Sequence, residues 1–242
     1  MKAQERHHLK QNEFAETVAR LSTLAREHRD RLLLGTVAVL VVIGSVSGVW
    51  VWRNGKRDQA GAAFARAMAV LQSQIAPAPT VPGATQAAGT YSTVQARQEA
   101  ALKAFQEVAA TYAASEEGAA AQYQAAGTLV SLGRLADAEK AYQDVIARAG
   151  ASILAPMARL GLADALAAEG KFDLAIKEYT DMSAQVAGAV PLDAVLMQLA
   201  HAYVKAGKSN EARATFKRVV DEFPDSGYVA EARQQMTLIS GV

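Results

Sequence analysis

The sequence contains no cysteine and only four histidines. Without cysteine, the chain forms neither disulfides nor thiolate metal sites, and it has no thiol nucleophile. His7 and His8 are adjacent and would diverge by about 100° on a helix, and neither forms a ligand set with His28 or His201. The sequence also has no glycine-flanked nucleophilic serine and no histidine paired by pattern with an acid. We therefore expect no catalytic site, no metal and no cofactor, and a protein that is not an enzyme.

An excess of charge of either sign is also missing. The chain has 25 Lys and Arg against 24 Asp and Glu, which gives a formal net charge of +1. A nucleic-acid surface interleaves aromatic residues with basic clusters. The aromatic residues of this chain instead recur at regular intervals and do not fall among basic clusters. The composition therefore predicts no nucleic-acid partner.

Proline is scarce, with six in the chain, and three of the six fall within residues 76–90. Pro77, Pro79 and Pro82 stand there among glycine, alanine and threonine, a composition that disfavours both helix and strand. We predict that this segment is a surface loop inserted into the folded domain. Such a long loop is either functional or simply tolerated.

A repeat with a period of 37 residues is the strongest positive signal. Four aromatic residues recur at this interval, and each has an alanine four positions earlier. The rings are Phe105, Tyr142, Tyr179 and Phe216, and the alanines are Ala101, Ala138, Ala175 and Ala212. One turn after each ring stands Val108, Val145, Met182 or Val219, and Gly133, Gly170 and Gly207 share the interval. A fixed period of this length indicates stacked units that bury their apolar faces against one another.

Each unit reads as helix, turn, helix. Ala126, Ala163 and Ala200 recur in the first helix, where a small residue lets two backbones approach closely. The glycine tolerates the positive φ of a helix C-terminus, and the aromatic ring fills the wedge between hairpins. The sequence therefore predicts an all-α solenoid of helical hairpins.

These positions resemble the tetratricopeptide repeat, which places alanines, a glycine and an aromatic residue at the same offsets with a usual period of 34. The resemblance covers roughly residues 94–240, and Pro224 stands where the family has its terminal proline. It implies a tetratricopeptide-like repeat domain over residues 53–242. We expect the insertion 76–90 inside its first unit and a closing helix over 225–239.

The only long apolar run is residues 32–52, which has 21 residues and no charge. As a helix it would extend about 31 Å, enough to cross a bilayer. A cleavable signal peptide is the competing interpretation, but the 31-residue polar head and the flanking Trp50 and Trp52 favour an uncleaved anchor. Gly44 and Gly48 form a small-residue pair that lets two spans pack, or they simply face lipid.

The N-terminal tail, residues 1–31, has Phe14, Val18, Leu21 and Ala25 at helical spacing. This pattern predicts an amphipathic helix on the membrane surface or on a partner. Four Lys and Arg stand in the 20 residues on each side of the span, so charge does not decide the orientation. Because the tail is short, we predict that it lies in the cytoplasm, with the repeat domain exported to the other side of the membrane.

The resemblance also implies a binding groove, because in the family the first helix of each repeat lines the concave face. The corresponding residues are Tyr123, Gly127, Val130, Leu160, Asp164, Ala167, Met197, His201, Val204 and Lys205. Basic residues that would hold a terminal carboxylate are largely missing, so an apolar helix or an unfolded segment is the better ligand. The alternative is that these residues only pack within the hairpins.

The order of short polar tail, single span and alanine-rich repeats is similar to that of bacterial inner-membrane proteins such as the ancillary subunit of the Sec translocon. That likeness implies a periplasmic adaptor or chaperone-like subunit, with the translocon, chaperones or exported polypeptides as partners. The alternative function is a homo-oligomeric assembly factor for a division or outer-membrane complex, self-associating through Gly44 and Gly48.

Overall fold

The computed structural model describes residues 29–77, 87–150, 152–185 and 190–240. Within its first helix, the described side chains are those of residues 40–47 and from residue 55 onward. The chain divides into two compact units, Met1–Lys56 and Arg57–Val242. Each is considered by itself.

The described residues form helices and one small pair of strands. The helices are α1 Arg29–Leu71, α2 Val94–Thr111, α3 Glu116–Ser131, α4 Leu135–Ala149, α5 Leu154–Ala168, α6 Phe172–Ser183, α7 Leu192–Lys205, α8 Ser209–Glu222 and α9 Val229–Ser240. The strands are β1 Gln74–Ile75 and β2 Thr90–Tyr91.

The first unit contains the N-terminal part of α1. The predicted span, residues 32–52, is helical, and Leu40, Val41, Val42, Ile43 and Val46 are all more than half exposed. In the part of the chain whose side chains are described, no helix combines the length and the apolar character needed to cross a membrane. The predicted amphipathic helix of the tail, with Phe14, Val18, Leu21 and Ala25, lies outside the described residues.

The second unit is a row of antiparallel hairpins. Each helix from α2 to α9 packs against the next, and the first helices of successive hairpins also touch, α3 against α5 and α5 against α7. The hairpins are therefore α3 with α4, α5 with α6, and α7 with α8. The end of α1 packs on α2, where the ring centroids of Phe64 and Phe105 lie 6.0 Å apart. The second unit has the predicted fold class, an all-α helical-hairpin solenoid.

The turn inside each of these three hairpins has the same geometry. Gly133, Gly170 and Gly207 have φ of 73°, 82° and 73°, a region that side chains disfavour. In each turn the amide after the glycine donates to a carbonyl five residues earlier at 2.9 Å; Arg134 to Leu129 is one example. This Schellman bond ends the first helix and reverses the chain. The predicted role of the repeated glycine is confirmed.

The four repeated rings lie inside the domain. Phe105 and Phe216 are fully buried, Tyr179 is 1% exposed and Tyr142 is 5% exposed. The alanines four positions before them are completely buried, as are Ala126, Ala163 and Ala200. The predicted apolar seam between hairpins is therefore confirmed.

The insertion is more ordered at its ends than the sequence predicts. β1 and β2 pair in parallel, with Gln74 opposite Thr90 and Ile75 opposite Tyr91. The amide of Ala76 also donates to the Tyr91 carbonyl at 2.9 Å. Thr90 thus leaves the predicted loop 76–90 for a strand, because a β-branched residue beside an aromatic one suits an extended pair. Residues 78–86 lie outside the described part of the chain.

The closing helix α9 begins at Val229, four residues after the predicted start of 225–239. The delay has a local cause. The hydroxyl of Ser226 donates to the Asp193 carboxylate at the start of α7, at 2.6 Å, so the residues before Val229 form a turn fastened to α7. Ala232 of α9 is fully buried and Met236 packs against the core of α7 and α8.

Candidate functional site

The first helices of the three hairpins, α3, α5 and α7, carry the residues that the sequence predicts for a groove. We call this set of predicted positions the groove. On α3 and α5, Tyr123, Val130, Leu160 and Ala167 are half-buried and pack with one side against the core. Their other side reaches solvent. These four residues therefore stabilise the core and also form part of the solvent-facing surface.

One residue of each first helix meets the repeated ring of its own hairpin. These residues, Gly127, Asp164 and His201, are 37 positions apart. A Cβ added at Gly127 would lie 3.6 Å from the Tyr142 hydroxyl. The Tyr179 hydroxyl donates to Asp164 Oδ1 at 2.5 Å. The His201 and Phe216 rings meet edge to face, with centroids 5.4 Å apart.

Tyr142 comes from α4 and reaches between α3 and α5. A Cβ built on Gly161 of α5 would lie 2.5 Å from the Tyr142 ring, closer than real contacts allow. Glycine at position 161 is therefore what lets the ring lie against α5. The Tyr142 ring also meets Tyr123 edge to face, with centroids 5.9 Å apart. As a result, Tyr142 lies beside groove residues of both hairpins.

Asp164 and three tyrosines interact electrostatically in the same place. Asp164 is exposed at the groove, yet loss of water around its carboxylate raises its pKa, although the bond from Tyr179 acts in the opposite direction. Burial and then the charges of Tyr123 and Asp164 raise the pKa of Tyr142 to about 12. Burial first, and then Asp164, also raise the pKa of Tyr123 and of Tyr179. All three tyrosines are therefore neutral donors at physiological pH.

The third hairpin differs, because α9 packs over it. Met197, predicted to line the groove, is 3% exposed and belongs to a core with Phe216 and Ala232. His201 Nε2 lies 3.0 Å from Glu231 Oε1 of α9. Of the four groove positions predicted on α7, only Val204 and Lys205, at its end, are exposed. The structure thus places Met197 and His201 in contact with the closing helix.

The sequence pattern did not identify Tyr142, Tyr179 and Gly161 as parts of this site. The repeat pattern predicts only a packing role for Tyr142 and Tyr179, and Gly161 lies outside the repeated positions. A signal was present, because the inner two of the four repeated rings are tyrosine and the outer two are phenylalanine. Buried tyrosine usually has a partner for its hydroxyl.

Two further predictions concern the packing of Gly44 and Gly48 and the expected absence of a metal. Gly44 has open space where a side chain would stand, and Gly48 lies among the residues whose side chains are not described. Within the described ranges, no three His, Cys, Asp or Glu side chains come together as metal ligands.

Comparison with known proteins agrees with the repeat pattern. Two family models, both described as tetratricopeptide repeat, match residues 123–189 and 166–236. The nearly identical TPR-like repeats of a Podosopora anserina protein assigned as a kinesin light chain are similar in structure, with a TM-score of 0.52 and 18% identity, over 59% of this chain and 77% of that one. A single-substitution variant of that protein has a TM-score of 0.49 and 18% identity, over 60% and 86%. No curated protein matches the chain in sequence. Residues 123–236 of this chain are tetratricopeptide repeats.

Proposed function

We propose that this chain is a membrane-tethered scaffold that binds a segment of a partner protein in the part of the groove formed by α3 and α5. Tetratricopeptide repeats generally act as scaffolds for protein–protein interaction. The observation that carries the proposal is the exposure of Tyr123, Leu160 and Asp164 to solvent. The equivalent residues of α7, Met197 and His201, are instead in contact with α9. An apolar surface with a few polar groups suits a helix or an extended peptide.

The exposed apolar residues of α1 support the membrane part of the proposal. Leu40 to Ile43 are consecutive, so they point in directions about 100° apart and cover the whole circumference of the helix. Water does not favour such a surface, whereas lipid does. We place residues 32–52 in a bacterial inner membrane, with the N-terminus in the cytoplasm and the repeats in the periplasm.

The architectural likeness to the ancillary Sec subunit favours the translocon, its chaperones or exported polypeptides as partners. This step rests on analogy, since the fold alone does not select a partner. It is therefore tested separately from groove binding.

Photo-crosslinking tests groove binding. A photoreactive amino acid replaces Tyr123 or Leu160 in the full chain, and Lys140, exposed on the second helix α4, serves as the control position. We expect discrete crosslinked proteins from both groove positions and none from position 140, with translocon or chaperone components among them. Identical products from all three positions would contradict groove binding. Discrete products that contain no secretion component would contradict only the choice of partner.

Alkaline extraction tests the anchor. The full chain should stay with the membrane pellet, and a chain that begins at Arg57 should be released, because it lacks the apolar segment. Release of the full chain would contradict anchoring.

A homo-oligomeric assembly factor is the second candidate, favoured by the open space at Gly44 within an exposed apolar helix. Crosslinks between copies that disappear in Gly44→Ile would support it. A full chain that stays monomeric in membranes would contradict it.

A further inference from the structure

Asp164 is an acidic residue without a basic partner among the described residues. Some exposed or half-buried acids of the repeats have a basic partner, whereas others, such as Glu178 and Glu211, have no ion pair to a described residue. Lys171 binds Glu139 at 2.8 Å, and Lys208 binds Asp173 at 2.7 Å. No Lys, Arg or His ion pair to Asp164 occurs in the described part of the chain. Its negative charge is therefore not neutralised within the domain.

The carboxylate of Asp164 also has acceptor capacity to spare. Its one described hydrogen bond is the one from Tyr179 to Oδ1. A carboxylate can accept about four hydrogen bonds over its two oxygens. Asp164 is exposed, so the remaining acceptor positions are open to a ligand.

The neighbours of Asp164 are aromatic rings with hydroxyl groups. Tyr123 and Tyr142 form an edge-to-face pair, and both are influenced by the Asp164 charge. An aromatic face attracts a cation within about 6 Å of its centroid. A carboxylate next to such rings favours a positively charged group, and it disfavours an anion.

The position of Asp164 is costly for the fold. Loss of water around the carboxylate makes its ionised form less favourable than in the unfolded chain, which is the cause of its raised pKa. Acids whose ionised form is disfavoured in this way are enriched at functional sites. Tyr179 alone does not require a charge, because a neutral amide would also accept its hydrogen bond.

We infer that Asp164, together with Tyr123 and Tyr142, binds the cationic side chain of a lysine or arginine in the partner segment. The inference rests on the proposed groove binding and specifies the chemistry of the ligand. The lysine or arginine donates to the free acceptor positions of Asp164 while its alkyl stem lies along the Tyr123 ring. Half-buried Leu160 and Val130 offer apolar contacts for flanking residues.

The experiment selects peptides from a random 12-residue display library on the full-length chain purified in detergent. Asp164→Asn is the test variant, since asparagine keeps the size and the acceptor for Tyr179. Asp144→Asn is the matched control, because Asp144 lies exposed on α4 and pairs with Arg148. Tyr179→Phe removes the hydrogen bond to Asp164 and leaves its charge. Circular dichroism checks that each variant is folded.

We expect lysine or arginine to be enriched at one position of the peptides that the natural chain selects. The enrichment should persist in Asp144→Asn and Tyr179→Phe and disappear in Asp164→Asn. Replacing the selected lysine by norleucine should weaken binding about tenfold in the natural chain, as expected for a charged hydrogen bond, and less than about twofold in Asp164→Asn.

Three results would overturn the inference. Selected peptides without basic enrichment, or with an enrichment that persists in Asp164→Asn, would refute the basic site and leave groove binding intact. If no peptide is selected by the folded chain, groove binding and the basic site both fail.

Discussion

The two inner hairpins and the last hairpin use the same lattice to make different surfaces. In α3 to α6 the repeated ring is a tyrosine, Tyr142 or Tyr179, whose hydroxyl lies at the groove beside Gly127 or Asp164. In α7 and α8 the ring is Phe216, which meets His201 with its edge. The ring fills the same wedge in all three hairpins. Among these three hairpins, only the rings of the inner two add a hydroxyl group at the groove.

Whether the next helix covers the groove explains this difference. Leu160 and Met197 stand 37 positions apart, and Leu160 is half-buried while Met197 is 3% exposed. Helix α9 packs on α7 and α8 and brings Glu231 to His201. A repeat position therefore defines where a side chain lies along the helix. The neighbouring element decides whether that side chain is available to a partner.

Removing an inner ring should have the largest effect. Tyr179→Ala is expected to lower the free energy of unfolding by about 3 to 5 kcal/mol, because it leaves a cavity between hairpins. Tyr179→Phe keeps the ring and should cost only about 0.5 to 1.5 kcal/mol, the net value of one hydrogen bond. Urea denaturation measures both variants. Equal losses would show that the hydroxyl, rather than the ring, supports the inner hairpins.

A methyl group added at Gly161, against the Tyr142 ring, should have an intermediate effect. In Gly161→Ala the new Cβ meets the ring at 2.5 Å, so overpacking should lower the free energy of unfolding by about 1 to 3 kcal/mol. Gly127→Ala is the control, because its Cβ meets the Tyr142 hydroxyl at an ordinary 3.6 Å. That change should be neutral or stabilising by up to about 1 kcal/mol, the helix preference of alanine over glycine. A reversed order in thermal unfolding would mean that Tyr142 does not lie against α5.

The smallest expected effect concerns the pH dependence of stability. The raised pKa of Asp164 means that the folded chain holds this proton more tightly than the unfolded chain does. The titration of Asp164 therefore makes the free energy of unfolding fall as the pH rises from 3.8, the ordinary pKa of the carboxyl group, to its raised pKa in the folded chain. Asp164→Asn should remove that fall and be no less stable than the natural chain at neutral pH. Denaturation of both proteins from acidic to neutral pH measures the difference, and a clear loss of stability at neutral pH would contradict it.

The repeated positions predicted most of the fold, because each of them answers a local requirement. Gly170 needs a positive φ, Ala163 allows close helix packing, and Tyr179 fills a wedge. Each of these roles depends on the hairpin and its immediate neighbour, so spacing alone reveals it.

The site was less predictable, because it depends on contacts between elements that have no fixed spacing. Closure of α7 depends on α9 and on the turn that Ser226 fastens to Asp193. The place of Tyr142 depends on Gly161, which the period does not mark. The sequence therefore predicted groove positions without showing which of them stay open.

Cysteine labelling compares the open and closed parts of the groove most directly. Because the chain has no cysteine, Leu160→Cys and Met197→Cys each introduce a single thiol. Labelling of the folded full chain by a maleimide, relative to the unfolded chain, should be at least about tenfold faster at position 160, since position 197 reacts only when α9 opens locally. Equal rates at the two positions would contradict the account of a groove open over α5 and closed over α7.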